Sequence, residues 1–264
     1  MRRLARDVYA VGRRADVSTL AGALAYFAFV ALVPLGVLFV VAIATLVGEP
    51  TGSRVLALLA ETLEPGVGSL IESNVRDARG RFEATLLGTA TLAFGGVRLF
   101  QTLERGFASI YGERRGRSRS AALRDVAVVA LADGLALAVL GVAGSHLVHG
   151  VSDGWVAPVG TVFLFAGLVC AVLPTFAVFP SASVGAREAL PGAALSAGSW
   201  TLATVAVRWY ATTGGPWQYG ALGVVVLSLG WLYVGGLVVL VGAALNAVLG
   251  GHVDPDEAWH PGDY

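Results

Sequence analysis

An all-helical, polytopic membrane bundle is the fold class this sequence predicts, and three observations predict it. Of 264 residues, 56% are hydrophobic and only 14% charged, with a mean hydropathy of +0.72. Soluble domains carry about 25% charged residues, so the chain has too little polar surface to coat a globule in water. The shortage is also localised: residues 20–47, 154–185 and 209–251 contain no Asp, Glu, Arg or Lys. A helix needs roughly 20 apolar residues to cross a hydrocarbon core of about 30 Å. Each run can therefore span, and the longest has residues to spare.

Taken in order, residues 1–17 set Arg2, Arg3, Arg6, Arg13 and Arg14 among Leu4, Val8, Tyr9 and Val11, which suits an interfacial helix at the inner membrane surface. No small-residue cleavage pattern precedes the next apolar run, which is also too long for a signal segment, so 20–47 is read as a retained first span. Pro34 should kink it, because proline removes a backbone hydrogen bond and crowds the preceding turn. Residues 48–82 mix acidic and basic side chains with leucine- and valine-rich stretches on either side of Pro65-Gly66, predicting an extracytoplasmic loop of short amphipathic helices. The remaining spans are expected at 84–103, 125–148, 156–179, 190–211 and 220–249, followed by an acidic tail over 250–264, all in one membrane domain. Arg208, Trp209 and Tyr210 at the end of the fifth span read as an interfacial anchor.

Orientation follows from the arginines, which supply every basic side chain of the sequence apart from histidine. Six spans place 1–17, the basic loop 104–124, the Arg187 loop and the tail on one side. That side holds most of the arginines, so the positive-inside rule makes both chain ends cytoplasmic.

Four polar side chains form a candidate intramembrane site: Arg98, Asp133, Gln101 and Asn246. Arg98 lies about five residues, and Asp133 about eight, from the cytoplasmic ends of consecutive spans, so both come to similar depth. A lone charge in the bilayer interior costs at least about 2.5–3.5 kcal/mol, which predicts that they pair or line a watery cavity. Asn246 and Gln101 read first as interhelical hydrogen-bonding groups and second as lining for a polar path. His146, His149 and Asp153 could bring two imidazoles and a carboxylate together, but i, i+3 histidines are common by chance and no metal is assigned. The single cysteine, Cys170, reads as inert buried packing. Small residues such as Gly192, Ser196, Gly235 and Gly242 permit close helix approach. No phosphate loop, zinc-hydrolase pair, nucleophile elbow or dinucleotide fingerprint occurs, so no cofactor and no catalytic residue is expected.

Three stretches carry a family resemblance: residues 20–34 (LAGALAYFAFVALVP), 187–192 (REALPG, after Pro180) and 219–249 (YGALGVVVLSLGWLYVGGLVVLVGAALNAVL). With their spacing, the chain resembles the YihY/virulence factor BrkB family of prokaryotic inner-membrane proteins over nearly its whole length. The resemblance implies a six-span protein of the cell membrane without a settled activity. The family's closing motif often has an acidic residue where this chain has Ala244, so any ion coupling through that carboxylate would be missing here.

Three functions are open at this level. Six spans, Pro34, Pro174 and the intramembrane charges point first to a transporter-like or channel-like protein for a small solute, ion or lipid. A non-transporting scaffold is the second, its 48–82 loop meeting an envelope partner. The third follows an older family label, ribonuclease BN. Metal-dependent cleavage needs clustered carboxylates or histidines, and the cytoplasmic loops offer none, so neither an enzyme nor a nucleic-acid partner is expected. Expected partners are membrane lipids, a second copy of the chain or an envelope protein.

Overall fold

The computed structural model describes residues 2–46, 78–112, 124, 127–129, 131–134, 136, 153–180, 184–212 and 220–254. Among these, every regular element is an α-helix: α1 (Arg2–Arg14), α2 (Val17–Leu46), α3 (Ala78–Tyr111), α4 (Asp153–Val178), α5 (Ala186–Thr212) and α6 (Gly220–Leu249). The described residues of the third predicted span, between 127 and 136, are helical as well, as is Arg124 just before it. The 48–77 part of the outer loop, His146, His149 and residues 255–264 lie outside the described residues.

Helix α6 covers 220–249, the stretch expected as the sixth span, whereas α3 is much longer than the 84–103 stretch expected as the second. Residues 78–82, expected in the outer loop, and 104–111, expected in the basic loop, are helical. Charged side chains such as Arg105 sit on turns that protrude past the apolar stretch, and nothing in their spacing breaks a helix. α2 continues through Pro34 as one helix. Among the described residues, Val159–Val178 and Val225–Leu249 are each long and apolar enough to cross a membrane, and α1 with Val17–Leu32, meeting at 64°, forms a third candidate. The turn between α1 and α2 runs through Asp16, whose φ is +49°.

The chain forms two compact units, Met1–Gly22 with Thr102–Tyr210 and Val234–Tyr264, and Ala23–Gln101 with Ala211–Tyr233. In the second unit α2 and α3 run antiparallel. Phe27 meets Phe94 edge-on with ring centroids 6.5 Å apart, and a Cβ at Gly95 would stand 3.0 Å from the Ala31 nitrogen. Glycine is needed there because the two backbones come too close for any side chain between them.

The core of the first unit is a ring cluster under a helix pair. Phe107 packs on Phe176 and Phe179 at centroid distances of 5.8 and 5.6 Å and stacks on Tyr111. Leu240, Ala243, Ala244 and Ala247 of α6 are fully buried, as are Ala189, Ala193 and Ala197 of α5. Large apolar side chains point outward instead, among them Leu131, Val162, Leu202 and Leu249. Lipid solvates such a surface. Cys170, expected in buried packing, is on this outward surface; periodicity cannot choose a buried face when every face of the helix is apolar.

One end of this unit is polar. Arg14 Nη2 donates to the Asp254 carbonyl at 3.1 Å, His252 Nε2 lies 3.5 Å from Glu188 Oε2, and the Tyr111 and His252 rings are 5.7 Å apart. α6 ends there in a Schellman turn: Gly251, at φ +66°, lets the His252 N–H reach the Ala247 carbonyl. α5 begins there, with the Gly185 carbonyl accepting from Glu188 and Ala189. Segments far apart in sequence, before α2, after α3, before α5 and after α6, thus meet at one end of the unit.

Candidate functional site

Two of the four sequence-nominated residues, Asp133 and Asn246, belong to the first unit; Arg98 and Gln101 belong to the second.

Asn246 is the most fully engaged. Antiparallel packing of α5 on α6 is set by small residues: a Cβ on Gly192 would overlap the Gly242 carbonyl, and one on Gly242 would lie 2.9 Å from the Gly192 carbonyl and 3.0 Å from Phe176 Cζ. This close approach brings the Asn246 amide onto the α5 backbone. The Gly192 N–H donates to Asn246 Oδ1 at 2.7 Å, and Asn246 Nδ2 donates to the Ala189 carbonyl at 3.1 Å. Pro191 sits between those two positions and has no N–H of its own. One helical turn on, Ser196 Oγ donates to the Val238 carbonyl at 3.4 Å. Two turns on, Trp200 covers Gly235, where a Cβ would come within 2.7 Å of the ring. Thus the REALPG and GAALNA stretches, 54 residues apart from Gly192 to Asn246, form one contact.

Asp133 is treated differently. The Thr175 hydroxyl donates to Oδ2 at 3.4 Å, but Oδ1 is buried with no hydrogen-bond partner among the described residues. Thr175 itself is buried and stands three residues from the end of α4, directly before Phe176 of the ring cluster. Asp133 therefore lies within about one helical turn of the unit's polar end. A buried anionic oxygen without a donor is costly. The carboxylate is held by neighbours but left with spare bonding capacity, which is the condition of a binding group.

In the second unit, Arg98 is exposed, with its guanidinium 5.6 Å above the Phe94 ring, a cation–π arrangement worth about 0.5–1 kcal/mol at an exposed site. Gln101 is exposed on the same helix. No group of three or more His, Cys, Asp or Glu with metal-binding geometry occurs among the described residues.

Sequence reasoning did not nominate Thr175, Glu188 or His252, and it read Ser196 only as a small residue permitting close helix approach. Thr175 could have been found as a hydroxyl next to Pro174, where the helix already lacks a backbone bond. Glu188 and His252 carried no signal, because they lie tens of residues apart.

Comparison with known proteins follows the same lines. A family model described as virulence factor BrkB matches residues 8–261. A UPF0761 membrane protein of Chromohalobacter salexigens is 29% identical over 242 residues, covering 87% of this chain and 59% of the relative. One from Halorhodospira halophila is 27% identical over 245 residues, covering 88% of this chain and 54% of the relative. The chain thus spans somewhat over half the length of these two curated relatives. A Haemophilus influenzae UPF0761 membrane protein is 28% identical over 253 residues, covering 88% of this chain and 90% of the relative. No solved structure matches the chain significantly.

Proposed function

Because the chain belongs to the virulence factor BrkB family and is an integral membrane protein, we propose that it is transporter-like or channel-like, moving a small solute, ion or lipid. The observation that carries this reading is Asp133, a carboxylate on an apolar membrane helix with one oxygen engaged by Thr175 and the other without a hydrogen-bond partner among the described residues. Ionisable groups in such places mark solute or ion paths, and the polar end within a turn of Asp133 supplies an entrance.

The reading includes six spans with both chain ends in the cytoplasm. The meeting of segments around Arg14, Tyr111, Glu188 and His252 at one end of the first unit supports it, since the arginine pattern assigns those segments to one side. Cysteines introduced at Ser69 and Ser118 should label from opposite sides of sealed vesicles, and labelling from the same side would break the span count.

The functional test is flux in reconstituted vesicles. Asp133→Asn preserves shape and the Thr175 contact but removes the charge. Flux should fall at least tenfold while the melting temperature stays near wild type; unchanged flux would remove Asp133 from the path. A double-mutant cycle with Arg98→Leu and Asp133→Leu reads whether the two charges are coupled, additive losses meaning that they are not. A scaffold reading draws on the tightly packed α5–α6 contact. It predicts a homo-oligomer or an envelope protein co-purifying with a chain that shows no flux.

A further inference from the structure

α1 carries two opposed stripes. Leu4, Val8, Val11 and Ala15 follow one another at helical spacing, and the last two are 3% and 4% exposed, packed into the first unit. Arg2, Arg6, Tyr9 and Arg13 follow the same spacing on the opposite face, and all four are exposed, Tyr9 at 69%. The later part of the apolar stripe, Val11 and Ala15, is thus packed against the protein's own core. What α1 offers outward is a row of guanidiniums roughly 16 Å long. Arg2, Arg6 and Arg13 make no ion pair or hydrogen bond with another described residue, whereas Arg14, on another face, is tied to Asp254. The nearby Asp7 lies off the stripe.

We propose that the Arg2–Arg6–Tyr9–Arg13 stripe binds anionic phospholipid headgroups. This rests on the membrane residence of the chain and not on passage of any solute through it. Charge complementarity selects an anionic partner, because arginine forks match phosphate oxygens. Three features select headgroups over other anions. α1 meets the first half of α2 at 64°, nearer to the plane of a membrane than to the axis of a spanning helix. It is tied to Asp254, five residues past the apolar run that ends at Leu249, which places it at the level where hydrocarbon gives way to water. Finally, a tyrosine shares the stripe, and its ring with a polar tip favours the headgroup layer.

The experiment measures lipid binding to the full chain in neutral detergent by native mass spectrometry, titrating phosphatidylglycerol and phosphatidylcholine in parallel. Each arginine near an anionic surface contributes about fivefold in affinity. The triple variant Arg2→Gln, Arg6→Gln, Arg13→Gln should therefore lose on the order of 100-fold for phosphatidylglycerol and nothing for phosphatidylcholine. The corresponding triple lysine variant should stay within severalfold of wild type. Melting without added lipid should be unchanged, because these side chains hold nothing else described. If the triple variant fails to fold, Arg6→Gln alone should still show a severalfold loss. Equal binding of phosphatidylglycerol by wild type and the glutamine variant would overturn the proposal. So would wild type holding inorganic phosphate or a short RNA as tightly as phosphatidylglycerol at the same salt. Loss of vesicle flux in Asp133→Asn is independent of these outcomes, so either proposal can fail without the other.

Discussion

Asn246 and Asp133 are polar side chains set among apolar helices of the same unit, and the fold treats them in opposite ways. Both ends of the Asn246 amide are bonded to the α5 backbone, and the residue is 1% exposed. Asp133 is half-buried, with one oxygen on Thr175 at 3.4 Å and the other unmatched among the described residues. A satisfied polar group in an apolar setting fixes a geometry, because breaking it exposes two buried backbone groups. A half-satisfied one contributes little rigidity and keeps capacity for something else. The contrast teaches that polarity inside a membrane helix does not by itself mark function; unspent hydrogen-bonding capacity is the better sign.

The largest effect that would break this contrast is Gly192→Leu. Even the Cβ would overlap the Gly242 carbonyl and stand 2.5 Å from Asn246 Nδ2. Overpacking costs about 1–3 kcal/mol and the broken amide bonds a similar amount, so a loss of about 3–5 kcal/mol or failed expression is expected. By comparison, Gly134, next to Asp133, has nothing within 4 Å of its virtual Cβ. Gly134→Ala should be neutral or stabilise by up to about 1 kcal/mol, read as melting temperature in detergent.

Next comes Asn246→Leu, which keeps the volume but strands the Gly192 N–H and the Ala189 carbonyl. A loss of about 2–4 kcal/mol is expected, with wild-type flux in whatever fraction remains folded. Reduced flux at normal stability would move Asn246 from the clamp into the path.

Gly235→Leu probes the other end of the α5–α6 contact, where Trp200 leaves no room. It should cost about 1–3 kcal/mol, while Val239→Leu, at a position that already holds a bulky side chain, should stay within about 1 kcal/mol. Equal melting of the two variants would mean that Trp200 moves aside and the contact is soft. The smallest effect is Thr175→Val, which removes the hydroxyl from Asp133 and should cost about 0.5–1.5 kcal/mol. It should leave Asn246→Leu additive within about 0.5 kcal/mol, because the two sites share no partner. A larger coupling between them would join the two regions into one network.

Taken alone, the sequence determined that this chain is helical and lives in a membrane. It also gave the bounds of α6, the family, and the short list containing Asp133 and Asn246. Those properties depend on composition, on run length against bilayer thickness, and on residue types too costly in hydrocarbon to be casual. The reach of α3 to Tyr111 was hidden, because charged turns continue a helix as readily as they end one. The outward position of Cys170 and the covered apolar stripe of α1 were hidden too, because an apolar side chain is equally at home against lipid or protein. Only the tertiary structure decided that Asn246 spends its amide on Gly192 and Ala189 while one Asp133 oxygen meets no partner among the described residues. That difference depends on which backbone another helix brings within 3 Å, and sequence spacing within a single helix holds no record of such a distance.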